Sequence, residues 1–380
     1  MGLEDLRKDI DCIDDEIVKL YTKRMELVER VVKEKEKDLK PVFDPDREKK
    51  ILVRVTENVQ EKHVGYVKRL FETLFETSKA LQTEQANYYS EIGDKIEKTL
   101  QNGESIFPNR ARVACQGISG SYSSIAAERL FDVADISYFK NFEGVFSSVE
   151  KGFTKYGLLP IENSSAGSVN EVYDLMKKHK FYVVKCVRLA INHNLVSKPN
   201  VKKEDIKEIL SHEQAINQCK NYLSQYPNAK ITAISNTAVA AKMVSESTSL
   251  EIAAICSREC AELYGLKIIE SNVQDSDNNY TRFILIAKDM EFYKGASKIS
   301  IMTTLPQNTP GSLNKLLSKF SNLGINLTKL ESRPIVGSGF EFTFYFDFNC
   351  DIREKGVINL LKELDNSTEQ FTFLGAYSEI

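Results

Sequence analysis

The feature that most constrains this chain is a change of hydrophobic period near residue 110. Upstream, Leu3, Leu6, Ile10, Ile13, Ile17, Leu20, Leu27 and Val31 follow a 3,4 spacing, which predicts one long helix with a coiled-coil-like seam. From Ala111 on, short apolar runs (ARVAC, KYGLLPI, IKEIL, KITAI, EIAAI, TRFILIA) alternate with helical stretches, the mark of an α/β domain. A third pattern begins near 298. It reads β-α-β-β-α-β, with Phe340, Phe342, Phe344, Phe346 and Phe348 alternating after the turn Val336-Gly337-Ser338-Gly339, as in a ferredoxin-like α+β unit. The chain is therefore expected to be multidomain: all-α over 1–90, a linker over 91–109 marked by Gly93, Gly103 and Pro108, α/β over 110–290, and α+β over 298–380.

Bulk properties narrow the class. With 380 residues and 42% apolar content, two or three domains can each bury a core. A formal net charge of −3 gives no reason to expect nucleic acid or an anionic membrane as partner. No apolar run has membrane-spanning length, and the acidic, amphipathic start MGLEDLRKDIDCIDDE is not a signal peptide. The seven cysteines lack metal-ligand spacing, and the four histidines show neither HxH nor HxxxH. Reduced thiols, a cytoplasmic location and no metal are the expectations.

In the helical third, Arg24 occupies a seam position, where a buried charge needs an anion. Lys35, eleven residues on, lies about 20° around the helix from it, so the two cations share a face. Arg7 is on the order of 25 Å away along the axis and can reach the same site only from an antiparallel second copy, which implies a homodimer. After Pro41, a helix is expected to start in the acidic stretch around Asp44, Arg47 and Glu48. A third runs from about Val64 to Tyr89, its apolar stripe (Val67, Phe71, Leu74, Leu81) interrupted by Ser78 and Gln82, one turn apart. Arg7, Arg24, Lys35, Asp44, Arg47, Glu48, Ser78 and Gln82 together resemble the site of the all-helical chorismate mutases. The resemblance implies a Claisen rearrangement driven by positioning and electrostatics. Arg24, Arg7 of a second copy and Ser78 would hold the carboxylates. Lys35 and Gln82 would face the ether oxygen and Glu48 the ring hydroxyl, while Asp44 and Arg47 orient the site.

The middle of the chain is organised around GLLPIENSSAGSVNEVYDLM, Gly157 to Met176. An apolar run breaks into Glu162, Asn163, Ser164 and Ser165, then Gly167, and Val169, Val172, Tyr173 and Met176 follow at helical spacing. Ser168 and Glu171 read as a capping box. A strand leading through donors to a helix N-terminus describes an anion site. Similar junctions follow other strands: GISGSYS with Ser121 and Ser123, Ser211-His212-Glu213-Gln214 (a second capping box) with Gln218 a turn later, Ser235-Asn236-Thr237, and Ser257 with Gly265 closing its helix. PIENSSAG, GISGSYS, SHEQ and NYTRF resemble the signatures of prephenate dehydratases, with Glu213 where proline is commoner. The resemblance implies a two-lobed, periplasmic-binding-protein-like domain without cofactor. Thr281 would aid departure of the ring hydroxyl, and Asn163, Ser211 and Gln218 would position the substrate. Glu162 would support the loop, with Ser121, Ser123, Ser164, Ser165, Gly167, Asn236, Thr237 and Arg282 around the ligand.

In the last third, Glu331-Ser332-Arg333-Pro334 resembles the ESRP motif of ACT regulatory domains, and Gly311-Ser312-Leu313 stands where those carry GAL, serine replacing alanine. The resemblance implies L-phenylalanine as effector, bound at a subunit interface. Nearly the whole chain, the linker excepted, thus resembles bifunctional chorismate mutase–prephenate dehydratases of phenylalanine biosynthesis, acting on chorismate and prephenate. Two alternatives stay open: a non-enzymatic amino-acid-responsive binder, and an enzyme that takes arogenate. A dehydrogenase fusion is disfavoured because no GxGxxG follows a strand.

Overall fold

A computed structural model describes residues 2–38, 45–85, 90–103, 105–305, 310–335, 341–368 and 370–380. The chain divides into two compact units: residues up to Lys98 together with Ile301–Phe371, and Thr99–Ser300 together with Thr372–Ile380.

Helix α1 (Leu3–Asp38) is a single 36-residue element, as the seam predicts; α2 (Pro45–Thr56) and α3 (Glu61–Gln85) follow, and α1 and α2 pack on α3. The seam itself stays in the open, Leu3 being 66% exposed, Ile10 56% and Ile17 52%. The predicted linker needs correction, because Glu91–Gln101 is a helix, α4. Ile92, Ile96 and Leu100 recur every four residues, and Ile96 is fully buried. Ser90 Oγ accepts from the Gly93 N–H at 2.9 Å and donates to Asp365 at 2.7 Å, so it caps the helix and anchors it at once. Gly93, which reads as a breaker, is there because a Cβ would collide with the Lys362 stem.

The second unit is α/β. It contains β1 (Arg110–Gln116), α5 (Tyr122–Leu130), β2 (Val133–Phe139), α6 (Phe142–Glu150), β3 (Tyr156–Asn163), β4 (Gly167–Ser168), α7 (Asn170–His179) and β5 (Tyr182–Ala190). Then come β6 (Asn194–Ser197), β7 (Glu208–His212), α8 (Glu213–Gln218), α9 (Lys220–Leu223), β8 (Lys230–Ile234), α10 (Thr237–Glu246), β9 (Ile252–Cys256), α11 (Arg258–Leu263), β10 (Lys267–Glu270) and β11 (Tyr280–Ala287). Two sheets result. The first has the order β2-β1-β3-β11-β5 with β4 paired to β3, the second β10-β6-β9-β7-β8. β11 runs antiparallel between β3 and β5, whereas β7, β8 and β9 are parallel. Each sheet has its own apolar core, with Val113, Leu158 and Leu285 in one and Leu195, Ile209 and Ile255 in the other. The chain crosses between the sheets at 191–193 and again at 271–279, which makes this unit two-lobed. The C-terminal residues extend the first sheet, since the Cys186 N–H donates to Ser378 O and the Ile380 N–H to Cys186 O, both at 3.0 Å.

The last elements are β12 (Lys298–Thr304), α12 (Ser312–Asn322), β13 (Asn326–Pro334), β14 (Phe342–Asn349), α13 (Lys355–Ser367) and β15 (Phe371–Tyr377), in a sheet ordered β13-β14-β12-β15. This is the expected β-α-β-β-α-β order. Phe344, Phe346 and Phe348 are buried, and Phe320 of α12 stacks on Phe346 at 5.5 Å between ring centroids. Phe340 and the turn at 336–339 lie outside the described residues. Helices α12 and α13 pack on α3, and Lys362 Nζ meets Glu97 of α4 at 2.6 Å.

Candidate active sites

In the helical region, the pairing of α1 with α3 brings Arg24 to Ser78. Arg24 Nη1 donates to Ser78 Oγ and, at 3.1 Å, to Leu74 O. Burial lowers the Arg24 pKa, yet the guanidinium stays charged at any physiological pH. Ser78 is buried, and one turn along α3 the Gln82 side-chain oxygen is buried with no partner among the described residues, an amide set up for a ligand. Glu48 of α2 pairs with Lys79 at 3.0 Å. Arg47 is exposed on α2, and Arg7 is exposed near the start of α1, away from this cluster. Asp44 and the side chain of Lys35 lie outside the described residues.

The α/β unit holds the second cluster. PIENSSAG is a hairpin: Glu162 pairs with Ser168 and Asn163 with Gly167 across β3 and β4. This corrects the predicted capping box, because α7 starts after Val169 and has no side-chain cap. The turn is stabilised by Asn163, whose Oδ1 accepts from the N–H groups of Ser165 and Ala166 at 3.0 and 2.9 Å. Gly167, at φ +79°, occupies the left-handed region that favours glycine. On the neighbouring strand Thr281 stands in register with Asn163. Asn163 Nδ2 donates to Thr281 Oγ1 at 2.9 Å and to Asn279 Oδ1 at 3.0 Å. Gln218 joins from the other lobe: its Oε1 accepts from Asn279 Nδ2 at 2.9 Å, and its Nε2 lies 3.5 Å from Asn163 Oδ1.

Beside this network is a cavity of about 550 Å³ lined by Ser165, His212, Gln214, Gln218, Gln274 and Asn279 among others, large enough for a small-molecule ring. Thr281 and Asn163 are not on its wall, and neither is Ser211. The Ser211 hydroxyl is fully buried and donates to Ile255 O at 2.8 Å, and the cap of α8 is His212, whose Nδ1 accepts from the Gln214 N–H at 3.3 Å. The second predicted capping box is corrected accordingly. Ser164 Oγ accepts from the Tyr280 N–H and donates to Asn278 O, both at 2.9 Å. Arg282 donates to Glu162 at 3.1 Å and reaches Glu379 of the C-terminal segment at 3.6 Å.

Three further helix starts converge. Ser121 caps α5, Asn236 caps α10 and Ser257 caps α11, and Tyr264 at the end of α11 donates to Ser119 O at 2.9 Å. Gly117 lies between Ser121 and Asn236, while Ser123 and Thr237 are buried in the first turns of their helices. Tyr122 links this group to the amide network, as its ring lies edge-on to His193 at 6.3 Å. Sequence reasoning missed Asn279 and His193. Asn279 opens the NYTRF motif, a usable signal for the first; a lone histidine gave none for the second. In the α+β region, Gly311 (φ +86°) and Ser312 and Leu313 open α12, while Glu331, Ser332 and Arg333 lie on β13 at the sheet edge.

Family models agree with this three-part reading: chorismate mutase type II over residues 6–83, prephenate dehydratase over 113–291 and the ACT domain over 299–366. The bifunctional chorismate mutase/prephenate dehydratase of Escherichia coli (strain K12) is 32% identical over 381 residues, covering 98% of this chain and 95% of that protein. The chain belongs to the bifunctional chorismate mutase/prephenate dehydratase family. It is an enzyme of phenylalanine biosynthesis that rearranges chorismate to prephenate and converts prephenate to phenylpyruvate, and it carries an ACT domain. An Arabidopsis thaliana arogenate dehydratase/prephenate dehydratase is 37% identical over 285 residues, 71% of this chain and 72% of the relative. Among solved structures, the prephenate dehydratase of Arthrobacter aurescens in complex with L-Phe matches with a TM-score of 0.64 at 28% identity, over 70% of this chain and 89% of that one. No described helix is long and apolar enough to cross a membrane.

Proposed function

We propose that the dehydratase step is carried by Thr281, acting as hydrogen-bond and proton donor to the leaving ring hydroxyl. The supporting observation is the direction of one bond. Asn163 Nδ2 donates to Thr281 Oγ1, so the threonine oxygen is an acceptor there and its own proton is left to point at substrate. As the ring carboxylate departs as carbon dioxide, its bonding pair enters the ring and the opposite C–O bond breaks. Hydroxide leaves with the proton from Thr281 as water, the ring becomes aromatic, and a solvent proton restores the threonine hydroxyl. Gln218 and Asn163 position the substrate, Ser121, Ser123, Asn236 and Thr237 present helix N-termini to its carboxylates, and the Glu162–Arg282 pair stiffens the hairpin. Ser211 supports β9 from behind.

The mutase step belongs to the helical cluster. Arg24 and Ser78, with Arg7 from a second copy, hold the two carboxylates; Gln82 and Lys35 serve the ether oxygen, Glu48 the ring hydroxyl, and Asp44 and Arg47 orient the site. The exposed apolar seam of α1 supports a homodimer built on that helix. L-phenylalanine binding is supported by the ligand of the Arthrobacter relative; its assignment to Gly311–Leu313 and Glu331–Arg333 rests on the ACT motifs, and calorimetric titration tests it. The domains run 1–90, 110–290 and 298–380, with α4 as a helical connector, and the enzyme works in the cytoplasm. Glu213 and Asp275 on the cavity wall favour a second reading, in which an ammonium is accepted and arogenate is used. The ratio of kcat/KM for the two substrates decides between them.

Thr281→Ala is the decisive variant. Dehydratase kcat is expected to fall by about a thousand-fold, within the range of a lost acid catalyst, with chorismate consumption unchanged. Equal loss of both activities, or of neither, overturns the assignment.

A further inference from the structure

The hydrogen bonds around Thr281 have a fixed direction that can be followed outward from the backbone. The N–H groups of Ser165 and Ala166 can only donate, so the Asn163 atom they meet is the amide oxygen. The Asn163 NH₂ therefore faces Thr281 Oγ1 and Asn279 Oδ1. Asn279 in turn must present its NH₂ to Gln218, 2.9 Å away. That places the Gln218 oxygen on the Asn279 side and its NH₂ toward Asn163 Oδ1 and the cavity.

One more group meets the Gln218 oxygen. His193 Nε2 lies 2.9 Å from it, and an amide oxygen offers only lone pairs, so Nε2 carries the proton. The other ring nitrogen is buried and has no partner among the described residues. A proton on Nδ1 would have no acceptor, and burial lowers the His193 pKa, which keeps the ring neutral. His193 is 2% exposed and lies on the first crossing between the lobes. Its N–H donates to Gln274 Oε1 at 2.9 Å and its carbonyl accepts from the Val273 N–H at 2.8 Å. The backbone of His193 is thus held by the second crossing.

We propose that His193 is a positioning residue for the dehydratase: its Nε2–H holds the Gln218 oxygen away from the cavity, so that the Gln218 NH₂ is the group presented to the anionic substrate. Without that donor the amide oxygen is held by Asn279 alone. A half-turn of the amide then directs an oxygen at a carboxylate, and Asn279 and Asn163 lose their fixed orientation. Nothing in the role requires His193 to touch substrate. The inference rests on the reading of Thr281 and Gln218 as substrate-facing groups.

The test compares His193→Leu, His193→Gln, Gln218→Ala and the double variant His193→Leu/Gln218→Ala in the full chain. Mutase turnover on each sample serves as the internal reference. His193→Leu is expected to lower dehydratase kcat by about thirty-fold, as for a misaimed site group. His193→Gln, which restores an N–H donor near the same place, recovers most of that loss. The double variant is no slower than Gln218→Ala alone, because the two losses share one bond. A His193→Leu enzyme within two-fold of the parent, equal losses for leucine and glutamine, or multiplying losses in the double variant each overturn the proposal. If His193→Leu fails to fold, ¹⁵N shifts of labelled histidine in the parent enzyme decide, an Nδ1–H tautomer ruling it out. Retained dehydratase activity in Thr281→Ala would instead bring down the underlying reading, whereas an inactive Thr281→Ala beside a normal His193→Leu would remove only the role of His193.

Discussion

The two candidate sites differ in how much of each a single chain completes. Around Thr281, Asn163, Asn279, Gln218 and His193 close a hydrogen-bonded set drawn from both lobes and both crossings. Around Arg24, among the described residues, Ser78 and Leu74 are engaged and the Gln82 side-chain oxygen has no partner, and the apolar seam beside them is exposed. The first kind of site is preorganised by tertiary structure alone and should be insensitive to protein concentration. The second, on the proposed homodimer, is completed by another copy, which would tie its chemistry to assembly.

The sharpest way to break this comparison is to charge the seam. Ile13→Glu with Ile17→Glu places carboxylates in the proposed helix–helix contact, where unpaired charge is strongly disfavoured. Mutase kcat/KM is expected to fall by about a thousand-fold at low protein concentration, on the scale of losing a desolvated arginine partner. Dehydratase turnover should hold, and sedimentation should report the monomer. A monomer with full mutase activity would show that one chain builds the site after all. A smaller effect is expected from Ser78→Ala, which removes one of the two acceptors seen for the Arg24 guanidinium, leaving Leu74 O. A hydrogen bond to a charged group contributes about 2 kcal/mol, so mutase kcat/KM should drop by roughly thirty-fold. Dehydratase kinetics measured on the same sample should not move.

What could be read from the sequence follows the same division. Helix α1, the strands bearing PIENSSAG and NYTRF, and the β-α-β-β-α-β order were legible because period and turn chemistry are local. Misreadings arose where a distant partner decided the outcome. Gly93 looked like a linker glycine, but Lys362, far along the chain, occupies the space a side chain would need. Ser168 and Glu171 fit a capping box, yet pairing of Glu162 with Ser168 claims the serine for a strand. Ser211 reads as a cap and a substrate ligand, and the neighbouring strand β9 takes its hydroxyl instead. His193 carried no signal, since only tertiary packing brings a lone histidine to its partner, Gln218 of α8.

The smallest expected effect is one of stability, and it too separates the two regions. His193 belongs to the α/β unit, and burial depresses its folded pKa below the value near 6.5 of an unfolded chain. Between the depressed folded value and about 6.5 the unfolded state binds the proton and the native state does not, so stability rises with pH across that window and is flat above it. One such ring contributes at most about 1.4 kcal/mol per pH unit. His212, also lowered by burial, acts in the same direction. Denaturant unfolding followed between pH 5 and 8 should therefore show the α/β transition weakening below about 6.5. His193→Gln should reduce that slope and leave the helical transition where it was. An unchanged slope in the variant would mean that His193 is already charged in the native enzyme, and the neutral ring that orients Gln218 would have to be abandoned.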